Sequence, residues 1–129
     1  MLYKEITARI LKCCFEVPKE LGIGFLEIVY ECALVVALRQ EGLKAENQVP
    51  ISIRFRGHVV GEFRGDILVE DKILLELKAV KSLAPEHKAQ ILKYLKGSGF
   101  PVGLLVNFGN PKLEYRRFDN RMSIRIGNE

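Results

Sequence analysis

Apolar side chains near the N-terminus recur at helical spacing. Ile6, Ile10, Cys14 and Val17 lie three or four residues apart, which predicts a helix over about residues 3–17. Pro18 has no N–H to give and a fixed φ, so it ends this helix or turns the chain out of it. Gly22 and Gly24 mark a turn. A second helix is expected from about Phe25 to Glu41, with Gly42 as its C-terminal cap. Its middle, Cys32 to Leu38, is apolar nearly all round, the mark of a helix buried on more than one side.

The period then becomes strand-like. Gln48 to Phe55 predicts a strand, and Pro50 places it at a sheet edge or marks its start. Gly57 breaks it. Val59 to Val69 predicts a second strand, bent at Gly61 or Gly65. Glu70-Asp71-Lys72 is a polar turn, and Ile73 to Val80 a third strand. Pro85 opens a helix that ends before Gly97 and Gly99. Val102 to Phe108 reads as a buried strand and Leu113 to Phe118 as a last one, with a polar tail from about residue 119. The order ααβββαβ(β), a meander followed by a crossover helix, predicts an α/β fold with a mixed sheet flanked by helices. No repeat or linker interrupts the 129 residues, a length that suits a single domain over residues 1–129.

The third strand breaks its own pattern. Ile73, Leu75, Leu77 and Ala79 form one face, while Leu74, Glu76 and Lys78 form the other. Charged side chains are seldom buried unless paired or bound to metal. If Glu70, Asp71 and Lys72 make a three-residue turn, Val69 pairs with Ile73 and Asp66 comes to lie opposite Glu76, with Cβ atoms about 4.5–5.5 Å apart. A two-residue turn would put Asp66 on the wrong face. Two carboxylates that close repel unless one is protonated or a divalent cation lies between them. Hard oxygens suit Mg²⁺ or Mn²⁺. Such an ion lowers the pKa of a water and polarises a phosphoryl oxygen. Lys78 would neutralise charge developing there or orient the water. A Lys–Glu–Asp network on a solvated strand is the other reading of this spacing.

Composition narrows the classes. An apolar content of 48% excludes a disordered chain, and no apolar run approaches the ~20 residues of a membrane helix. Lys4, Glu5 and Arg9 stand where a secretion signal would be apolar, so a cytoplasmic protein with no membrane partner is expected. The three cysteines are odd in number, Cys13 and Cys14 are adjacent, and none has zinc spacing. They read as small buried hydrophobes in a reducing compartment. A net charge of +4 decides little by itself, but residues 78–110 hold five lysines against one acidic residue, Glu86. That places a basic stretch directly after the candidate carboxylates. Within it Gln90 and Tyr94 share a helix face with His87, whereas Lys88, Lys93 and Lys96 need not. The pair Arg116-Arg117, with Arg121 and Arg125, either touches phosphates or stays solvated.

Asp66, then nine residues, then Glu76-Leu77-Lys78, resembles the PD-(D/E)XK nuclease signature, with Gly65 where that signature has Pro. Gly24 to Tyr30 resembles the motif that names the GxxExxY protein family. Gln48-Val49-Pro50, Glu76 to Val80, Gln90 to Leu95 and Gly103 to Gly109 are similar to that family's other blocks, in the same order, over roughly residues 5–118. Pro18 departs from the family, which usually carries His or Tyr there. The resemblance implies a restriction-endonuclease-like core. It implies a nuclease that hydrolyses phosphodiesters with a metal-activated water, on DNA before RNA, with Mg²⁺ or Mn²⁺. Asp66, Glu76 and the Leu77 backbone carbonyl would then ligate the metal, joined by Glu27 directly or through water, and Lys78 would be the catalytic lysine. Gln90 and Tyr94 resemble the QxxxY element of RecB-like nucleases, which positions lysine or DNA. Gln90 is therefore expected among the catalytic residues, and Tyr94, Lys81, Lys93 and His87 among those that bind nucleic acid. A catalytically silent nucleic-acid-binding module or a protein-interaction module on the same fold stays open. So does a homodimer, the simplest way for a small nuclease to cut two strands.

Overall fold

Three helices and five strands follow the order set by the hydrophobic pattern. In the computed structural model, which describes residues 3–120, they are α1 (Lys4–Leu21), α2 (Glu27–Gln40), β1 (Ala45–Phe55), β2 (His58–Val69), β3 (Ile73–Lys78), α3 (Pro85–Ser98), β4 (Val102–Asn107) and β5 (Glu114–Asp119). The strands form one mixed sheet in the order β1-β2-β3-β4-β5. The meander β1-β2-β3 is antiparallel, α3 crosses over to place β4 parallel to β3, and β5 returns antiparallel. This is the α/β architecture expected of a restriction-endonuclease-like core.

Both faces of the sheet are covered, which is why β4 is buried along its whole length and β3 up to Leu77. Ile67, Val69, Leu75, Leu77, Leu104 and Val106 meet Ile10, Cys14, Leu34 and Leu38 of α1 and α2. On the opposite face Ile51, Leu74 and Leu105 meet Ile91, Tyr94 and Leu95 of α3. Each such aliphatic side chain contributes about 1.5–3 kcal/mol on burial. The two alternating faces of β3 therefore belong to two different cores.

Several element ends depart from the pattern. Helix α1 runs through Pro18 to Leu21. Proline removes only its own N–H, and the last turn closes with the Gly22 N–H donating to the Pro18 carbonyl at 2.8 Å. Helix α2 is buried on one side only. Tyr30, Glu31, Leu34, Val35 and Leu38 face inward, while Ile28, Cys32 and Val36, four residues apart, lie exposed. Its end matches the glycine cap: Gly42 is left-handed, and the Leu43 N–H reaches the Leu38 carbonyl at 3.0 Å. Strand β1 is an edge strand, as Pro50 requires, and the bulge opposite Ile53 and Arg54 falls beside Gly61. Helix α3 continues over Gly97, where any Cβ would strike the Ile53 side chain of β1. Arg121 and Arg125 lie outside the described residues. Among the described residues no helix is long and apolar enough to cross a membrane.

Candidate active site

The turn between β2 and β3 places the central carboxylates. Glu70 and Asp71 both adopt left-handed backbone, and the Lys72 N–H closes on the Val69 carbonyl at 3.0 Å. This three-residue turn pairs Val69 with Ile73, Leu68 with Leu74 and Ile67 with Leu75. The ladder stops there. At the next step the Glu76 and Asp66 carboxylates, not backbone carbonyls, accept the bonds. The Asp66 N–H donates to Glu76 Oε1 at 3.2 Å, and the Leu77 N–H donates to Asp66 Oδ2 at 2.7 Å. Because a strand residue's N–H and C=O point to the same edge, the Leu77 carbonyl faces the same parting of β2 from β3.

Burial sets the electrostatics of this pair. Glu76 is 3% exposed, and desolvation first, then the negative charge of Asp66, pushes its pKa up to about 8. Asp66 is raised as well, chiefly by burial. The Leu77 N–H opposes the rise, the charges of Glu31 and Glu27 add to it, and Lys78 opposes it. The positive charge of Lys78 also lowers Glu76, so the half-buried lysine stands within electrostatic reach of both acids. Without a cation, the pair holds a proton near neutral pH.

Two carboxylates and a backbone carbonyl at one strand end are hard oxygen donors, and their mutual repulsion is relieved by a divalent cation as well as by a proton. The chemistry of the donor set fits such an ion. Among the described residues, no three His, Cys, Asp or Glu side chains are grouped so as to hold one by themselves.

Helix α2 brings two acids toward Asp66. Glu27 sits exposed in its first turn. One turn further, Glu31 is 5% exposed and acts on Asp66 more strongly than Glu27 does. It accepts hydrogen bonds from Gln48 Nε2 at 2.9 Å and Asn47 Nδ2 at 3.4 Å. Gln48 is left-handed and, with Asp66, is skipped by the β1–β2 ladder. The sequence reading passed over Glu31. The available signal was its position four residues after Glu27, at the start of the apolar run. Tyr30 of the same motif is structural: its hydroxyl donates to the Gly22 carbonyl at 2.8 Å, and its ring stacks on Phe108 with centroids 5.0 Å apart.

The segment just after Lys78 is clamped from β4. Asn107, fully buried, accepts the Val80 N–H at 3.0 Å and donates to the Val80 carbonyl at 2.8 Å. Gly109 packs directly on the backbone of Ala79 and Val80, where a Cβ would collide. The Phe108 N–H donates to the Lys78 carbonyl at 2.8 Å. These contacts end β3 at Lys78 rather than at Val80.

The helix α3 residues divide. Gln90 Nε2 donates to the Tyr94 hydroxyl at 3.0 Å, and both line a groove of about 1030 Å³ between α3 and the β1–β2 hairpin. Lys93 and Lys96 line the same groove. His87 has a different role: its Nδ1 accepts the Ala84 N–H at 3.0 Å and caps the helix start. The Lys81 side chain is exposed beyond the end of β3. Arg117 ties β5 to α1, donating to Thr7 Oγ1 at 2.8 Å and pairing with Asp119, whereas Arg116 is exposed.

The crystal structure of SSO0001 shares this fold, with a TM-score of 0.56 at 20% identity over 98% of this chain. The chain spans about 65% of the length of that protein. No curated protein matches the chain. The sequence profile of the PD-(D/E)XK nuclease superfamily matches residues 4–118.

Proposed function

The chain belongs to the PD-(D/E)XK nuclease superfamily, whose nucleases generally use divalent metals, and from that premise we propose that it hydrolyses phosphodiester bonds of nucleic acid, DNA before RNA, with Mg²⁺ or Mn²⁺. The ordered blocks from Gly24 to Gly109 support a place in the GxxExxY family within it. The observation that carries the reading is the meeting of Asp66, Glu76 and Lys78 where the β2–β3 ladder ends.

Asp66, Glu76 and the Leu77 carbonyl would hold the cation, with Glu27 or Glu31 completing its surroundings from α2. When bound, the cation supplies Lewis acidity, drawing charge from a phosphoryl oxygen and easing deprotonation of a water. The Leu77 N–H holds Asp66 in orientation. Lys78, whose carbonyl accepts the Phe108 N–H just before the Asn107 clamp on Val80, stabilises negative charge that develops on the phosphate oxygens or orients the attacking water. Gln90 and Tyr94 position the strand from the groove beside the site.

The test is cleavage of labelled single- and double-stranded substrates with Mg²⁺ or Mn²⁺. Glu76→Gln and Asp66→Asn are expected to lower cleavage by at least about a hundredfold, the order seen when electrostatic transition-state contacts are removed. Equal cleavage by wild type and Glu76→Ala would overturn the proposal. Binding without cleavage under either metal would favour a catalytically silent module.

A further inference from the structure

Beyond the carboxylates, the sheet carries a feature that lies outside the metal site itself. Strand β2 pairs with β3 only over Ile67–Val69, while its pairing with β1 runs out to Phe55 and His58. The outer half of the hairpin is therefore a two-stranded arm, and α3 packs against its β1 side, leaving the groove of about 1030 Å³.

We propose that this groove binds an unpaired stretch of nucleic acid, with a base stacked on Phe63 and phosphates on Lys93, Lys96 and Arg54. The proposal rests on the nuclease reading above and specifies the form of its substrate.

Three observations carry it. First, Phe63 is 46% exposed on the groove wall, and its ring lies 5.4 Å from that of Tyr94. Tyr94 is buried and its hydroxyl is bonded to Gln90, so the pair forms a fixed aromatic platform. Every base offers a π-face to such a platform, but only once it is out of a duplex stack. Second, Lys93, Lys96 and Arg54 line the groove against a single acidic residue, Glu86. Among the described residues none of these three cations is held in an ion pair. That charge is complementary to a phosphate backbone and to little else in this groove. Third, the floor is apolar, with Ile51, Ile53 and Phe100 between the cationic walls. A duplex keeps its base faces stacked and offers these side chains only backbone and base edges, whereas an unpaired strand can turn its base faces onto them. The volume is that of a ligand pocket, room for a few unstacked nucleotides.

Fluorescence anisotropy in EDTA tests this without turnover. The probes are a labelled oligothymidylate of about twelve nucleotides and its duplex with oligodeoxyadenylate, a length within the site sizes of single-strand grooves. The single strand is expected to bind at least about tenfold more tightly than the duplex. Phe63→Ala should weaken single-strand binding about tenfold, and Phe63→Trp should restore it. Lys93→Ala and Lys96→Ala should each flatten the dependence of log K on log salt by about 0.7. Equal or tighter duplex binding, no binding of either probe, or an unchanged affinity in Phe63→Ala overturns the proposal. Single-strand binding with no metal-dependent cleavage leaves the groove standing and overturns the nuclease reading. Cleavage of duplex that is indifferent to Phe63→Ala overturns the groove alone.

Discussion

Glu76 has to be an acid in a place that penalises its charge. Its folded-state pKa of about 8 lies above the ordinary 4.5, so the protonated form favours folding. That contribution is full below about pH 4.5 and is lost as pH rises through about 8. Asp66, also raised, acts in the same direction. Without metal, the melting temperature is therefore expected to fall over this interval, and Glu76→Gln should flatten the fall. A melting temperature that rises with pH in wild type and variant alike would contradict the assignment. The cysteines make a second test at this scale. Cys32 is exposed, whereas Cys13 and Cys14 are buried and burial raises both thiols. A maleimide should label Cys32 rapidly in the native protein, and the other two only after unfolding. The sequence reading made all three buried, because an apolar neighbourhood in sequence says nothing about which side of a helix faces the core.

Among the elements, β3 and its exit matter most. The strand's length is decided by Asn107, whose amide replaces the backbone pairing that Val80 would otherwise seek. Asn107→Ala should destabilise the protein by about 1–3 kcal/mol, since it leaves the half-buried backbone groups of Val80 and the Gly109 N–H without partners. Urea unfolding checks this, with Lys112→Ala as an exposed comparison expected within about 0.5 kcal/mol of wild type. Gly109→Ala should be worse placed still, because its Cβ meets backbone that cannot swing aside. In the proposed enzyme both changes would also displace Lys78 and lower turnover. The block Asn107-Phe108-Gly109 was visible in the sequence as a resemblance, but its physical role was not. A side chain that bonds backbone 27 residues away leaves no local trace.

For the whole molecule, the two faces of one sheet divide the work. Helices α1 and α2 cover one face and present Glu27 and Glu31, while α3 covers the other and bounds the basic groove. A cation that binds only the folded pair of carboxylates should raise the melting temperature with the logarithm of its concentration above Kd. Mn²⁺ is expected to do so for wild type and not for Asp66→Asn, and identical shifts in both would place the ion elsewhere. The order of the elements, the three-residue turn and hence the meeting of Asp66 with Glu76 were determined by the sequence alone. Periodicity and turn length are local, and strand register follows from them by counting. The tertiary structure decided that α1 continues through Pro18, that Glu31 rather than Glu27 is buried near Asp66, that His87 caps a helix, and that Lys93 and Lys96 join Gln90 in one groove. Each of these depends on the rotation and seating of a helix against the sheet, which is set by packing between residues far apart in the chain.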